Sequence, residues 1–342
     1  MRTTLVTLAS LAVLLLSLPV ARADGIDPYL DEWKARYKPL LQSTILRPGS
    51  EPELMDHGCV TGQAVVLVHG LAGSPHYMRA LGRAFFEMGY TVLIPVLPGH
   101  GIKRPVALRD SKYADWIAEV EFSVNLARKL AKTVSLVGES IGAATSLQVA
   151  LNSPDKINGA LILFEPTLAL PADKTLQQIG DKQLRAQNML GRGFVPTPEM
   201  LEGTGANPYR YGKMFLGTSS QMAQLTRLMT RRYKSESARW TDVTQPLFLV
   251  HSVKNPIALI AESDRLAANH PNAKTTVEYL RLDATSNVEP TSHLLAEDIV
   301  WKKGKSEKIL EPKNPGFDAL VEKISTFTTR HLTSKTPGFC VK

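Results

Sequence analysis

From residue 64 onward the chain alternates short, wholly apolar runs with longer segments of helical period, and this restricts it to few architectures. Ala64 to Val68 is a Val-rich run that reads as a strand buried on both faces. Tyr77 to Met88 follows, with Met78, Leu81, Phe85 and Met88 at helical spacing. Thr91 to Pro95 reads as the next buried strand. Ala114 to Lys132 reads as a helix with Trp116, Val120, Val124, Ala127 and Ala131 on one face. Val134 to Val137 (strand), Ile141 to Asn152 (helix) and Ile157 to Phe164 (strand) continue the series. Strands and helices in turn mean βαβ units, hence an α/β fold with a mostly parallel sheet and helices on both faces.

The rhythm breaks at about 170–240, where helical fragments (Lys174–Leu190, Pro198–Leu201, Ser219–Tyr233) are separated by Gly and Pro. They lie between two strands of the series, so they read as an inserted helical cap. The series resumes at Pro246 to His251 and ends with the strand Thr276 to Leu282. Ser292 to Trp301 and Gly316 to Leu332 read as terminal helices. Residues 24–63 are mixed and polar, with a short amphipathic stretch, Tyr29 to Leu41, that sets Leu30, Trp33 and Tyr37 on one face. They read as an N-terminal wrap over a domain that runs from 64 to 342. A composition of 44% hydrophobic and 21% charged residues excludes collagen-like and largely disordered classes. Two cysteines in 342 residues exclude a disulfide-built scaffold.

Between the strand at 134–137 and the helix at 141–152 stands Gly138-Glu139-Ser140-Ile141-Gly142. A Gly-x-Ser-x-Gly run between a buried strand and a helix is a nucleophile elbow. The turn is tight, so its flanking positions must be small. It lifts the Ser140 hydroxyl above the sheet edge and sets a helix N-terminus beneath it, where negative charge is favoured. The Ile141 backbone N–H then points at a developing oxyanion. A second donor is needed, and His69-Gly70-Leu71-Ala72-Gly73 after the first strand can supply it through the Leu71 N–H. His69 reads as a structural loop residue.

These motifs, with the Pro98-Gly99-His100-Gly101 turn and Asp115-Trp116, resemble α/β-hydrolases of the carboxylesterase and monoacylglycerol-lipase type. The resemblance covers residues 64–165 well, 245–300 reasonably, and the N-terminal segment and cap poorly. It implies an α/β-hydrolase fold, a Ser, His and acid triad in that chain order, a two-amide oxyanion hole, and no metal or organic cofactor. Of eight histidines, His293 alone lies just after the last predicted strand, in Pro290-Thr291-Ser292-His293-Leu294, and it fits the family's base. His251 reads as core, and His270 and His331 as surface helix ends.

The acid departs from the family. Relatives carry Asp in a Lys-Asp-Pro turn, and here Lys254-Asn255-Pro256 places an amide at that position. An amide orients an imidazole but does not stabilise imidazolium as a carboxylate does. Three readings stand. Glu165, which directly follows the apolar strand beside the elbow, is a migrated acid whose poorly solvated carboxylate needs a partner. Alternatively Glu289, Asp283, Glu262 or Asp264 serves, with Glu262 and Asp264 expected on a solvent-facing helix. Otherwise Asn255 leaves a weak or silent site.

Three function classes follow: a serine ester hydrolase of small apolar acyl esters, an acyltransferase using the same residues, and a silent fold binding an apolar ligand or partner. The apolar stripe Met222, Leu225, Leu228, Met229 of the cap either adapts to acyl chains or is ordinary core packing. Arg2, the apolar run Leu8 to Leu18 and Ala21-Arg22-Ala23 make a signal-peptide pattern over residues 1–23, which predicts secretion or a periplasmic location. Cleavage would take two arginines from a net charge of +8. In an oxidising compartment Cys59 and Cys340 form one disulfide or remain two thiols. The basic runs Arg231-Arg232-Tyr233-Lys234 and Lys302-Lys303-Gly304-Lys305 carry no nucleic-acid motif. They read as solvated surface, or as a peripheral contact with an anionic membrane.

Overall fold

In the computed structural model, residues 25–43, 45–103, 106–170, 194–196, 207–303, 306–332 and 340 are described. The proposed signal peptide and the cap fragments 174–190 and 198–201 lie outside these residues. Helix α1 (Asp27–Gln42) precedes strands β1 (Glu53–Met55) and β2 (Thr61–Val68). Helix α2 (His76–Glu87), β3 (Thr91–Ile94), α3 (Val106–Asp110) and α4 (Tyr113–Leu130) follow. Then come β4 (Ala131–Glu139), α5 (Ile141–Asn152), β5 (Leu161–Phe164), β6 (Phe194–Pro196), β7 (Lys213–Phe215) and α6 (Leu216–Arg231). The chain continues through β8 (Leu247–Ser252), α7 (Ile260–Asn269), α8 (Ala273–Thr276), β9 (Val277–Leu282), β10 (Ile299–Lys303), β11 (Ser306–Glu311) and α9 (Phe317–His331).

Seven strands form one sheet in the order β1-β3-β2-β4-β5-β8-β9. Only the edge strand β1 is antiparallel to its neighbour. Alternate side chains of the central strands face opposite layers. Val66, Val68, Leu136, Leu161, Leu163, Leu247 and Leu249 pack with α1, α4, α5 and α6. Val65, Leu67, Val137, Ile162, Phe164, Phe248 and Val250 pack with α2 and α9. Both faces are therefore covered, which is why these strands read as unbroken apolar runs. Burying such side chains contributes about 1.5–3 kcal/mol each.

The amphipathic stretch near the N-terminus is α1, with Leu30, Trp33 and Tyr37 buried. Arg36 and Tyr37 both bond the buried Glu119 of α4, the arginine at 2.6 Å. On α6, Met222, Leu225 and Met229 are buried and Leu228 is exposed, so three of these four side chains are core. The expected helix over Ser292–Trp301 is replaced by a turn and the antiparallel hairpin β10–β11. Leu294, Leu295 and Ile299 are buried, but their apolar spacing serves a turn and a strand rather than a helix face. Among the described residues no helix is long and apolar enough to cross a membrane.

Cys59 and Cys340 are joined in a disulfide, with Cα atoms 5.6 Å apart and a sequence separation of 281. Closing so long a loop restricts the unfolded chain strongly, by about 5.6 kcal/mol in the chain-entropy model, with about 2–4 kcal/mol typical. Cys59→Ser/Cys340→Ser is expected to lower the melting temperature by about 5–10 °C under oxidising conditions. Equal melting of the variant and the wild type in calorimetry would refute this.

Candidate active site

The sheet reverses its winding between β2 and β4: β3 lies on one side of β2, and β4, β5, β8 and β9 lie on the other. The loops leaving β2 and β4 stand at the carboxyl ends of the strands beside this reversal, the place where ligands bind in open α/β sheets. The β2 loop is His69–Ser74, and the β4 loop is the elbow.

Ser140 has φ +53° and ψ −116°, a strained conformation for a residue with a side chain. The flanking glycines explain how the strain is tolerated. A Cβ on Gly142 would lie 2.3 Å from the Val68 carbonyl oxygen. A Cβ on Gly138 would lie 2.5 Å from Ala143 backbone atoms. The Ser140 amide donates to the Phe164 carbonyl at 2.8 Å, which locks the elbow to the end of β5.

Ile141 is the first residue of α5, and the earliest bond of that helix runs from the Ala144 amide to the Ser140 carbonyl at 3.1 Å. The Ile141 amide therefore belongs to the first turn, which lacks intrahelical partners. Leu71 lies in the β2 loop, half-buried, inside a turn closed by the Gly73 amide on the Gly70 carbonyl at 3.2 Å. The loop lies against the elbow: a Cβ on Gly70 would be in ordinary contact with the Ser140 Cβ, at 3.4 Å.

His69 braces the loop. It is fully buried, and its Nε2 accepts from the Leu97 amide at 3.1 Å. Its Nδ1 is then the protonated nitrogen and donates to the Gly70 carbonyl at 2.9 Å. Burial lowers its pKa to about 3, so the ring stays neutral and is no base.

Glu165 follows β5 directly, with φ +47° and 1% exposure. Its Oε1 accepts from His293 Nε2 at 2.7 Å and from the Ser252 amide at 2.8 Å. Its Oε2 accepts from Asn255 Nδ2 at 2.8 Å and faces His251 Nε2 at 3.3 Å. Asn255 Oδ1 in turn accepts from the amides of Ile257 and Ala258 at 2.8 and 2.9 Å. The amide at the family's acid position is thus a donor to a carboxylate one strand away. His251 lies in β8 and is buried, as expected, yet it also touches this carboxylate. Burial is the larger influence and lowers its pKa, although Glu165 opposes it. It is the neutral Nε2–H tautomer, because Nδ1 lies 2.6 Å from the Ser263 hydroxyl and Nε2 faces two acceptors.

His293 is buried, and its backbone carbonyl accepts from Asn314 at 2.9 Å. In the serine–histidine–carboxylate template Nδ1 faces the carboxylate, whereas here Nε2 does. The Ser140 hydroxyl bonds the Thr167 hydroxyl at 3.1 Å rather than an imidazole. Such bonds are often unformed without substrate.

The remaining candidates are engaged elsewhere. Glu262 is buried, against the expectation of a solvent-facing residue, because it bonds Arg239 at 2.7 Å as well as Arg265 and Trp240. Asp264 serves Tyr279 and Arg281, Asp283 caps Thr285, and Glu289 is exposed. His270, expected at the surface, is buried with Nε2 on the Gln245 carbonyl at 2.9 Å. Sequence reasoning missed His251 and Thr167 as members of the site. A polar residue at or just beyond the carboxyl end of a buried strand was the available signal.

Glu139 is buried beside the serine. Burial raises its pKa to about 7, with Arg210 opposing and Glu311 and Glu165 adding to the shift. A carboxyl raised in the folded state stabilises fully below its unfolded pKa, and that stability fades as pH rises to about 7. Glu139→Gln keeps an acceptor for the Gly70 amide and carries no charge. It is expected to raise the melting temperature at pH 8 and leave it unchanged near pH 4. An unchanged difference across that range would refute the assignment.

Three comparisons bear on this arrangement. A thermostable monoacylglycerol lipase from Bacillus sp. (strain H-257) is 37% identical over 107 residues, 31% of this chain and 41% of the relative. The magnesium-chelatase 30 kDa subunit of Rhodobacter capsulatus is 35% identical over 117 residues, 33% of this chain and 40% of the relative. The chain thus matches only about two-fifths of these relatives' lengths. A solved structure from work on LipS and LipT, two metagenome-derived lipolytic enzymes, aligns with TM-score 0.61 at 18% identity, over 84% of this chain and 100% of that one. It shows a shared α/β-hydrolase fold. The family model described as serine aminopeptidase, S33, matches residues 61–281, from the start of β2 into β9 and including the elbow, and the chain belongs to that family.

Proposed function

We propose that this protein is an exported serine ester hydrolase that cleaves small apolar acyl esters through an acyl-enzyme on Ser140. One observation carries the reading: a buried carboxylate, Glu165, is bonded to His293 at 2.7 Å and follows the strand whose last carbonyl holds the Ser140 amide. The monoacylglycerol lipase among the relatives is consistent with an ester substrate.

In the proposed cycle His293 takes the Ser140 proton as Oγ bonds to the acyl carbon. The carbonyl electron pair moves onto oxygen, where the Leu71 and Ile141 amides receive it. Collapse of this intermediate expels the alcohol, which takes the proton from His293. Water then repeats the sequence on the acyl-enzyme and frees the acid. Glu165 holds the imidazole and stabilises its protonated form. Donors from Ser252 and Asn255 satisfy the carboxylate oxygens in their buried place. Export rests on the signal-peptide pattern at 1–23 and agrees with the Cys59–Cys340 pairing.

The test is labelling of the purified protein by a fluorophosphonate, with turnover of esters of graded acyl length beside an aminoacyl amide. Labelling lost in Ser140→Ala, and a preference for esters, are expected. A folded wild type that takes no label overturns the reading.

A further inference from the structure

The residues after β5 hold both ends of the proposed catalytic chain. Glu165 takes His293, and two residues later Thr167 takes the serine. The Thr167 amide donates to the Ser140 carbonyl at 3.2 Å, and the two hydroxyl oxygens are 3.1 Å apart. Thr167 is 0% exposed, and among the described residues its hydroxyl has one hydrogen-bond partner, Ser140 Oγ.

That isolation assigns the proton. A hydroxyl carries one donor and two acceptor sites, and a buried donor left unmade costs more than an unused lone pair. The Thr167 proton therefore points at Ser140 Oγ. Ser140 is less buried than Thr167, so its own proton is free to turn elsewhere.

We propose that Thr167 is a further catalytic residue, whose hydroxyl donates to Ser140 Oγ and stays on that oxygen throughout the cycle. This rests on the serine-hydrolase reading above. In acylation the bond directs the Ser140 proton away from Thr167 and toward His293, and it supports Oγ as that proton leaves. In deacylation the C–Oγ bond breaks, Oγ gains electron density and takes a proton from His293. A donor already in place stabilises that leaving oxygen. The Thr167 proton is never transferred, so the balance of the cycle is unchanged. The same bond explains why Ser140 contacts Thr167 rather than His293 in this structure.

Thr167→Val removes the hydroxyl at nearly constant volume, and Thr167→Ser retains it. The readouts are the second-order rate of fluorophosphonate labelling, which reports attack by Ser140, and kcat for an activated ester, which includes deacylation. Thr167→Val is expected to lower both about tenfold, as for one hydrogen bond to a charge-bearing oxygen. Thr167→Ser is expected to restore both to within about threefold, with melting temperatures of the two variants matched. A filler of space would show the opposite order, with Val active and Ser impaired. Labelling of Thr167→Val at the wild-type rate, or faster, overturns the proposal; a faster rate means that the Ser140 proton had rested on Thr167. A wild type that takes no label overturns the serine-hydrolase reading and this proposal with it, whereas a labelled wild type with an indifferent Thr167→Val overturns this proposal alone.

Discussion

Glu165→Gln is expected to lower kcat for any turned-over ester by about 10³- to 10⁴-fold, the scale on which an amide fails in place of a triad carboxylate. The proposed cycle places a positive charge on His293 in each half. A neutral amide leaves that charge unsupported in a site where Glu165 and His293 are both buried. Gln also meets four surrounding groups that all present donors: the Ser252 amide, Asn255 Nδ2, His251 Nε2 and His293 Nε2. Its own NH₂ must face at least one of them. A loss of about 1–3 kcal/mol in stability should accompany the loss of rate, from that unpaired buried contact. Steady-state kinetics and calorimetry check both. Glu165→Gln retaining near-wild-type kcat would mean that another carboxylate orients His293. The structure offers little choice, because Glu262, Asp264 and Asp283 are each bonded elsewhere and Glu289 is exposed.

Much of this arrangement was legible in the sequence, and the reason is physical. Strands buried on both faces must be apolar throughout, so β2, β4, β5 and β8 stand out as runs bounded by turns. The elbow was legible because two glycines and a serine in five residues answer a steric demand at Val68 and Ala143 that other residues cannot meet. Glu165 was legible as a carboxylate directly after an apolar strand, which needs a partner in the fold. The hairpin β10–β11 was not legible, because Leu294, Leu295, Ile299 and Val300 suit a helix face as well as a turn and a strand. The fate of Glu262 turned on Arg239 and Trp240, more than twenty residues away in sequence. The contacts of His251 and Thr167 depend on which strand ends become neighbours, and local periodicity carries no such information.

The substitution that would bring the chain closer to its relatives is expected to harm it. Asn255→Asp restores the carboxylate of the Lys-Asp-Pro turn, and by resemblance alone it should repair the site. Here Asn255 Nδ2 donates to Glu165 Oε2 at 2.8 Å. Aspartate replaces that donor with an oxygen, and two carboxylates then face each other in a buried place. Like charges at this distance do not both ionise, so the pair shares a proton and one apparent pKa rises well above the ordinary carboxylate value of about 4. The sign of the pH effect follows. A pair whose proton is held more tightly in the folded state is most favourable at low pH and loses stability as pH rises. The melting temperature of Asn255→Asp should approach that of the wild type near pH 4 and fall behind it progressively toward pH 8, by about 2–4 kcal/mol in stability. Turnover at pH 7 should drop about 10- to 100-fold and recover partly as pH rises and the shared proton leaves, within the range where the protein stays folded. Calorimetry and kcat across pH check the two trends. Equal or greater activity at pH 7 would mean that position 255 can take the acid's part itself, with Glu165 as its support. The opposite outcome makes Asn255 the complement of a displaced acid: once the carboxylate occupies the end of β5, the turn after β8 must present a donor, and an amide is the smallest change from aspartate that does so.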